Sequence, residues 1–310
     1  MNLPDALQLA TLSAEAPAGD AWLHEQKFDG YRILAVKDAT RVRLLSRRFN
    51  DWTTKFQAIA DAVGKLPAKE LAIDGEVCVL APDGRTSFQA LQNADARDAA
   101  LVYFAFDLLA VDGDDIAARP LEQRKQRLAR LVAGNHTIRY SDHVIGNGAA
   151  AFDNACKLGL EGIVSKRRDQ RYAPGRSKIW LKTKCIARQE LVIGGYTDPD
   201  GARTGIGAVL VGYYARKQLR YAGKVGTGFS TAMLATLRKQ LEPLERATSP
   251  FDPEPQRAWT GPRTHWVEPR LVAEVAFSEW TEDGRLRHPS FQGLRADKRP
   301  RDVVREAVSR

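Results

Sequence analysis

The chain has no run of about 20 consecutive apolar residues, the length that a membrane-spanning helix needs. Its amino terminus carries Asp5 and lacks a basic lead-in, so a secretory signal is not expected either. Cysteine is scarce: Cys78, Cys156 and Cys185 lie far apart and form no CxxC pair. That spacing argues against a zinc ribbon or a disulfide framework and predicts ordinary reduced thiols. Internal repeats and low-complexity tracts are absent. These absences predict a globular cytoplasmic protein with no membrane partner, held together by hydrophobic cores.

What is present is an excess of positive charge. The net charge of +9 and pI near 9.5 point to a polyanionic partner, with nucleic acid first in line. Residues 161–188 carry nine Lys or Arg against Glu161 and Asp169, denser than a merely solvated surface usually is. A length of 310 residues with 44% apolar composition is enough for two domains.

The first half mixes β-rich runs, "YRILAV" (31–36), "RVRLLS" (41–46), "LAIDGEVCVL" (71–80) and "LVYFAFDLLA" (101–110), with helix-like pieces. In "LEQRKQRLARLV" (121–132), Leu121, Leu128, Leu131 and Val132 recur at helical intervals behind Pro120. The reading is α+β. From about Glu190, short strands separated by "TDPDGARTG" and "ARKQ" follow one another, interrupted by a helical "STAMLATLRKQLEPL" (230–244). That pattern predicts a small antiparallel barrel with one helix, giving domains 1–188 and 189–310.

The stretch "HEQKFDGYR" (24–32) places a lysine between two carboxylates. If it ends a strand, Leu23, Glu25 and Lys27 share one face, and the Asp29-Gly30 turn leaves Lys27 at the exit. Alone, such a block also fits a solvated strand end whose lysine pairs with its acidic neighbours. Further along stand Arg47 in "LLSRRF", Glu76 in "IDGEV", Phe106-Asp107 in "YFAFDLL", Glu161-Gly162 in "LEGIVSK", and Lys182 and Lys184 in "IWLKTK".

Each block has a physical use. An amine attacks phosphorus only when neutral, and cations such as Arg32, Arg47, Lys182 and Lys184 would favour that form of Lys27. Alternation puts Trp180, Lys182 and Lys184 on one strand face, where both amines could offset the charge of a departing pyrophosphate. Glu76 and Glu161 are oxygen donors suited to Mg²⁺, with Mn²⁺ as the alternative ion. Lys166 has the wrong parity to share a strand face with Glu161 unless Gly162 breaks the strand. Alternation groups Val102, Phe104, Phe106 and Leu108, as core or as a base platform.

In this order and spacing the blocks resemble the nucleotidyl-transfer motifs of the covalent nucleotidyltransferases: ATP-dependent DNA ligases, RNA ligases and capping enzymes. The closing "GLRADK" matches the ligase motif RxDK, and "RHPSFQGLR" with "GKVGTGF" looks like the ligase module of bacterial ligase D, the end-joining enzyme. The resemblance implies an α+β nucleotidyltransferase (adenylation) domain followed by an oligonucleotide-binding (OB) barrel. It implies a lysyl-AMP on Lys27, transfer of AMP to the 5′-phosphate of nicked double-stranded DNA, and sealing by the 3′-hydroxyl.

By the same resemblance Glu25 helps seat the base, Arg32 holds the ribose, Arg47 contacts phosphate and Phe106 stacks on adenine. Glu76 also lies near the ribose, and Lys166 joins Lys182 and Lys184 around ATP. Asp29 serves the DNA-dependent steps, while Arg295 and Lys298 orient pyrophosphate. Only 26 residues precede Lys27, which suggests a minimal ligase core. A Ku-type end-binding protein, polymerase and phosphoesterase modules, and a nucleoid-associated place in a bacterial cytoplasm belong to the same expectation. A non-catalytic nucleic-acid-binding barrel, a GTP-using capping enzyme and an RNA ligase are the alternatives.

Overall fold

The computed structural model describes residues 3–81, 83–93, 101–199 and 205–306. Its contacts fall into two compact units, one ending at Cys185 and the other running from Ile186 to Glu306. The division lies three residues before the expected one, because the first strand of the second unit already begins at Ala187.

In the first unit, β1 (Gln8–Leu12), β2 (Ala18–Gln26), β3 (Tyr31–Lys37), β4 (Val42–Ser46), β5 (Leu71–Val79), β6 (Leu101–Val111), β7 (Asp114–Asp115), β8 (Ile138–Tyr140), β9 (His143–Asn147), β10 (Gly162–Arg167) and β11 (Gly175–Lys184) make two sheets. One sheet runs β1-β11-β10-β2-β9, the other β4-β3-β5-β6-β7 with β8 beside β6. The helices are α1 (Gln57–Gly64), α2 (Phe88–Asn93), α3 (Leu121–Leu131) and α4 (Gly148–Lys157). Asn147 caps α4 by accepting a hydrogen bond from the Ala150 amide.

The continuous apolar run of β3 has a direct cause: the strand is covered on both faces. Ile33 and Ala35 pack under α1 with Ile59, Ala60 and Val63, while Leu34 and Val36 face the other sheet's Trp180 together with Leu7, Phe106 and Tyr172. Each of the larger buried side chains contributes roughly 1.5–3 kcal/mol.

Strict alternation fails in β6. Its register against β5 steps from Ala105 to Asp107 and again from Leu108 to Ala110, so Phe106 and Leu109 are extra residues. Two such bulges re-aim the side chains. Phe106 enters the cluster between the sheets, while Leu108 joins the opposite cluster under α1. The expected grouping of Phe106 with Leu108 is therefore corrected.

The second unit contains β12 (Ala187–Thr197), β13 (Ala208–Ala215), β14 (Gln218–Val225), α5 (Thr231–Leu241), β15 (Glu245–Arg246), α6 (Arg257–Thr260), β16 (Thr264–Val267), β17 (Val272–Phe277), β18 (Glu279–Trp280), β19 (Leu286–Arg287) and β20 (Ser290–Leu294). The ladder β14-β13-β12-β17-β20 returns to its start through a bridge between Ser290 and Thr227, just past β14. That closure makes a barrel, and Leu234, Leu237 and Leu241 of α5 fill its apolar interior side. Ser230 caps α5 at the Met233 amide. The Pro- and Gly-containing stretch 249–262 holds the short helix α6.

Cys156 and Cys185 are joined in a disulfide, contrary to the expectation of reduced thiols. Their sequence separation of 29 shows nothing by itself, but the end of α4 and the exit of β11 bring the Cα atoms to 5.3 Å. Cys78 alone is free, and it is buried. No described helix is long and apolar enough to cross a membrane.

Candidate active site

Cross-strand register builds the site. Residues directly opposite one another share a sheet face. Glu25 of β2, Val164 of β10 and Lys182 of β11 are opposite one another in one rung, with His143 of β9 at its end. Leu23, Lys166 and Trp180 form the rung on one side. On the other side Gly162 is opposite Lys184, and the Lys27 amide donates to the Gly162 carbonyl at 2.9 Å. One face thus collects Glu25, Lys166, Lys182 and Lys184 beside Lys27, and Trp180 shows that this face looks onto the second sheet.

β2 ends at Gln26, so Lys27 stands at the strand exit. Its Nζ lies 2.7 Å from Glu161 Oε1, and its side chain keeps 22% exposure. An ammonium has no lone pair, so this pair must open and the nitrogen must lose a proton before it can attack phosphorus. Gly162 has φ +148°, and a Cβ there would sit 2.1 Å from the Thr183 carbonyl. This glycine starts β10 and leaves Glu161 outside the strand, which removes the parity conflict with Lys166.

Glu76 Oε1 accepts a hydrogen bond from the Gly30 amide at 2.9 Å. Gly30 is required for close approach: a Cβ would meet the Val77 carbonyl at 2.2 Å and Cys78 Sγ at 2.7 Å. Asp29 accepts from the Phe88 amide at 3.4 Å, and its own amide donates to Thr86 Oγ1 at 3.1 Å. Burial pushes the Cys78 thiol up, helped by the surrounding charges of Glu76, Asp29 and Glu161 against Lys27. Among the described residues no three His, Cys, Asp or Glu side chains form a metal cage. Two carboxylates still fit Mg²⁺, which binds through one or two acids and leaves its other positions to water and phosphate.

Glu25 is buried at 2% exposure. Its Oε1 accepts from Lys125 Nζ at 2.7 Å, and its Oε2 accepts from Lys166 Nζ and Ser141 Oγ, both at 2.9 Å. Burial opposes its charge, yet Lys125 and Lys166 hold the carboxyl below its ordinary range. Lys166 itself is pushed down to about 8 by burial, against the pull of Glu25. Its Nζ lies 4.3 Å from the Phe106 ring centroid and 4.2 Å from that of Trp180.

Arg32 also lies over these rings, 4.7 Å from Phe106, and makes two 2.6 Å hydrogen bonds to the fully buried Asp74. Burial disfavours its charge, and Asp74 more than compensates, holding the guanidinium above its ordinary range. Phe28 and Phe104 stack at 4.1 Å near the strand exit. Arg47 stands half-buried just past β4.

In the second unit, Arg295 is half-buried and donates to Asp297 at 2.8 Å through two nitrogens and to Glu274 at 2.8 Å. Lys298 pairs with Glu190 at 2.9 Å. Several of the clustered cations at 161–188 are likewise committed, Arg167 to Asp169 and Arg168 to Glu122.

Sequence reasoning missed Arg124, Lys125, Asp74 and Ser141. A signal existed for the first two. On a helix whose apolar stripe contains Leu121 and Leu128, positions 124 and 125 fall on the stripe itself, and a charge there has to be buried. Asp74 carried a weaker one, a carboxylate inside the otherwise apolar "LAIDGEV".

Residues 9–184 match the family described as "ATP dependent DNA ligase domain", and residues 202–298 match "ATP dependent DNA ligase C terminal region". The multifunctional non-homologous end joining protein LigD of Pseudomonas aeruginosa is 41% identical over 308 residues, covering 97% of this chain and 36% of that protein. The LigD end-joining repair protein of Mycobacterium tuberculosis H37Rv is 42% identical over 288 residues, covering 92% and 37%. The chain thus spans little more than a third of these curated relatives. Among solved structures, mycobacterial DNA ligase D complexed with ATP and MES superposes with a TM-score of 0.73 at 40% identity, covering 97% of this chain and 98% of that one. The ligase domain of M. tuberculosis LigD gives 0.53 at 39% identity over the same shares.

Proposed function

The chain belongs to the ATP-dependent DNA ligases, and from that membership we propose that Lys27 is the residue that takes AMP from ATP. The observation that carries this reading is the position of Lys27 at the strand exit, 2.7 Å from Glu161 and one rung from Lys182.

Freed from Glu161 and having given up its proton to solvent, the neutral amine attacks the α-phosphorus, the bond to the β-phosphate oxygen breaks, and pyrophosphate departs while the new phosphoramide nitrogen sheds a second proton to water. AMP then passes to the 5′-phosphate at a nick in double-stranded DNA, and the 3′-hydroxyl displaces it to close the strand. Lys182 and Lys184 offset the charge of the leaving pyrophosphate, and Arg47 contacts phosphate. Glu25, Arg32, Phe106 and Lys166 form the nucleoside side of the pocket, and Asp29 serves the DNA-dependent steps. Arg295 and Lys298 exchange their carboxylate partners for pyrophosphate when they orient it. Glu76 and Glu161 would hold Mg²⁺, with Mn²⁺ as substitute; the ion would supply charge neutralisation at the phosphates.

The duplex is held through its phosphates without base reading, so affinity falls steeply with salt. The biological setting is double-strand break repair by end joining in the cytoplasm, next to the nucleoid. There a Ku-type protein and polymerase and phosphoesterase modules, fused or separate, are the partners. The similarity to the LigD relatives supports this setting.

Labelled ATP with Mg²⁺, followed by denaturation, tests the core of the reading: label is expected on wild type and none on Lys27→Ala. Label taken from GTP instead would point to capping chemistry. Sealing of nicked RNA in preference to nicked DNA would point to an RNA ligase.

A further inference from the structure

Helix α3 turns two consecutive cations inward, Arg124 at 0% and Lys125 at 1% exposure. Arg124 holds Asp107, the neighbour of Phe106, through Nε at 2.7 Å and Nη2 at 2.8 Å. Lys125 occupies Glu25 Oε1 and the Ser141 carbonyl, at 2.7 and 2.9 Å, with its Nζ 4.4 Å from the Tyr140 ring. Since Oε1 is taken, Glu25 meets Lys166 through Oε2, and Lys166 rests on the rings of Phe106 and Trp180. A continuous chain of contacts thus leads from α3 to the rungs beside Lys27.

The charges along it do not cancel. Arg124 matches Asp107 and Arg32 matches Asp74, but Lys125 and Lys166 share the single carboxylate of Glu25. A buried cation in excess is costly unless an anion arrives to meet it. His143 of β9 and Tyr140 of β8 complete the surroundings, and burial pushes His143 down, so it adds no positive charge of its own near neutral pH.

We propose that Lys125 is a positioning residue for adenylyl transfer: by holding one oxygen of Glu25 it directs the other to Lys166 and fixes that ammonium beside the nucleotide. The proposal rests on the reading of Lys27 as nucleophile. Lys125 also sets the charge of Lys166. Burial, with Lys125 as the nearby like charge, brings Lys166 down to about 8, so Lys166 loses its proton just above neutral pH. Removing Lys125 removes a repulsion, and Lys166 stays charged to higher pH.

The test is self-adenylation of the full chain from labelled ATP between pH 6.5 and pH 10, in wild type, Lys125→Met and Ser141→Ala. Lys125→Met is expected to raise KM for ATP about tenfold with a much smaller change in kcat, and to move the alkaline midpoint up by about one unit. Ser141→Ala, which removes an uncharged donor to Glu25 Oε2 without changing any charge in the chain, raises KM modestly and leaves the midpoint in place. If Lys125→Met does not fold, Glu25→Gln replaces it, with the midpoint expected to move down because Lys166 loses its carboxylate. A folded Lys125→Met with unchanged KM and midpoint overturns the proposal. So does a loss that only tracks the folded fraction. Absence of label on wild type itself overturns the Lys27 reading underneath.

Discussion

Replacing Arg124 by Met tests how the first unit is held together. The guanidinium makes two hydrogen bonds to Asp107, at 2.7 and 2.8 Å, and donates to the carbonyls of Arg119 and Gln170. Both partners of the ion pair have 0% side-chain exposure. Met fills most of the space but leaves Asp107 charged in the interior, with the Leu108 amide at 2.9 Å as a remaining donor. Removing one partner of such a buried pair costs about 3–5 kcal/mol, against a typical total stability of about 5–15 kcal/mol.

For a unit of this size, about 2–4 °C per kcal/mol applies, so its transition should fall by roughly 6–20 °C. Scanning calorimetry is the assay, because two units can melt separately and only the first should move. Adding Asp107→Asn removes the stranded charge and should return at least about 1 kcal/mol. The reasoning is refuted if Arg124→Met shifts the first transition by less than the equivalent of about 1 kcal/mol, or if the double variant is the less stable of the two.

Glu161→Gln removes a carboxylate proposed to hold Mg²⁺, a loss that should outweigh the easier release of Lys27 and slow self-adenylation by roughly 10²-fold, read from single-turnover labelling. The Cys156–Cys185 bond closes a loop of 29 residues, for which chain entropy alone suggests about 3–4 kcal/mol. Thiol titration in denaturant without reductant should find one thiol, and a reductant should lower the melting temperature. Lys166 titrates near 8 when folded and near 10.5 when unfolded. In that window the unfolded chain carries the extra proton, so this group makes stability rise with pH. Lys166→Met should remove the rise relative to wild type in urea midpoints measured from pH 7.5 to pH 10. Affinity for nicked duplex should fall linearly in log–log plots against salt, with a slope unchanged by sequence.

Much of the fold could be read directly. "YRILAV", "LAIDGEVCVL" and the strands after Glu190 were legible because β-branched and aromatic runs bounded by turn residues leave the backbone few alternatives. The pairing of Trp180 with Lys182 and Lys184 on one face needed only the strand period. Phe106 was harder: the residue was identified, but two bulges decide where β6 points it, and bulges leave no mark in a two-residue repeat. Cys156 and Cys185 were misjudged for a similar reason, since their closeness depends on where a helix ends relative to a strand.

The local chemistry was readable along the chain: a lysine at a strand exit before an Asp-Gly turn, acids and amines at set intervals, an α+β half and a barrel half. These follow from backbone preferences and side-chain period, which act over a few residues. The partners of the charges emerged with folding: Glu25 with Lys125 and Lys166, Arg32 with Asp74, Arg124 with Asp107, Lys27 with Glu161. Buried charges must find counterions wherever the fold brings them, and 100 residues separate Glu25 from Lys125.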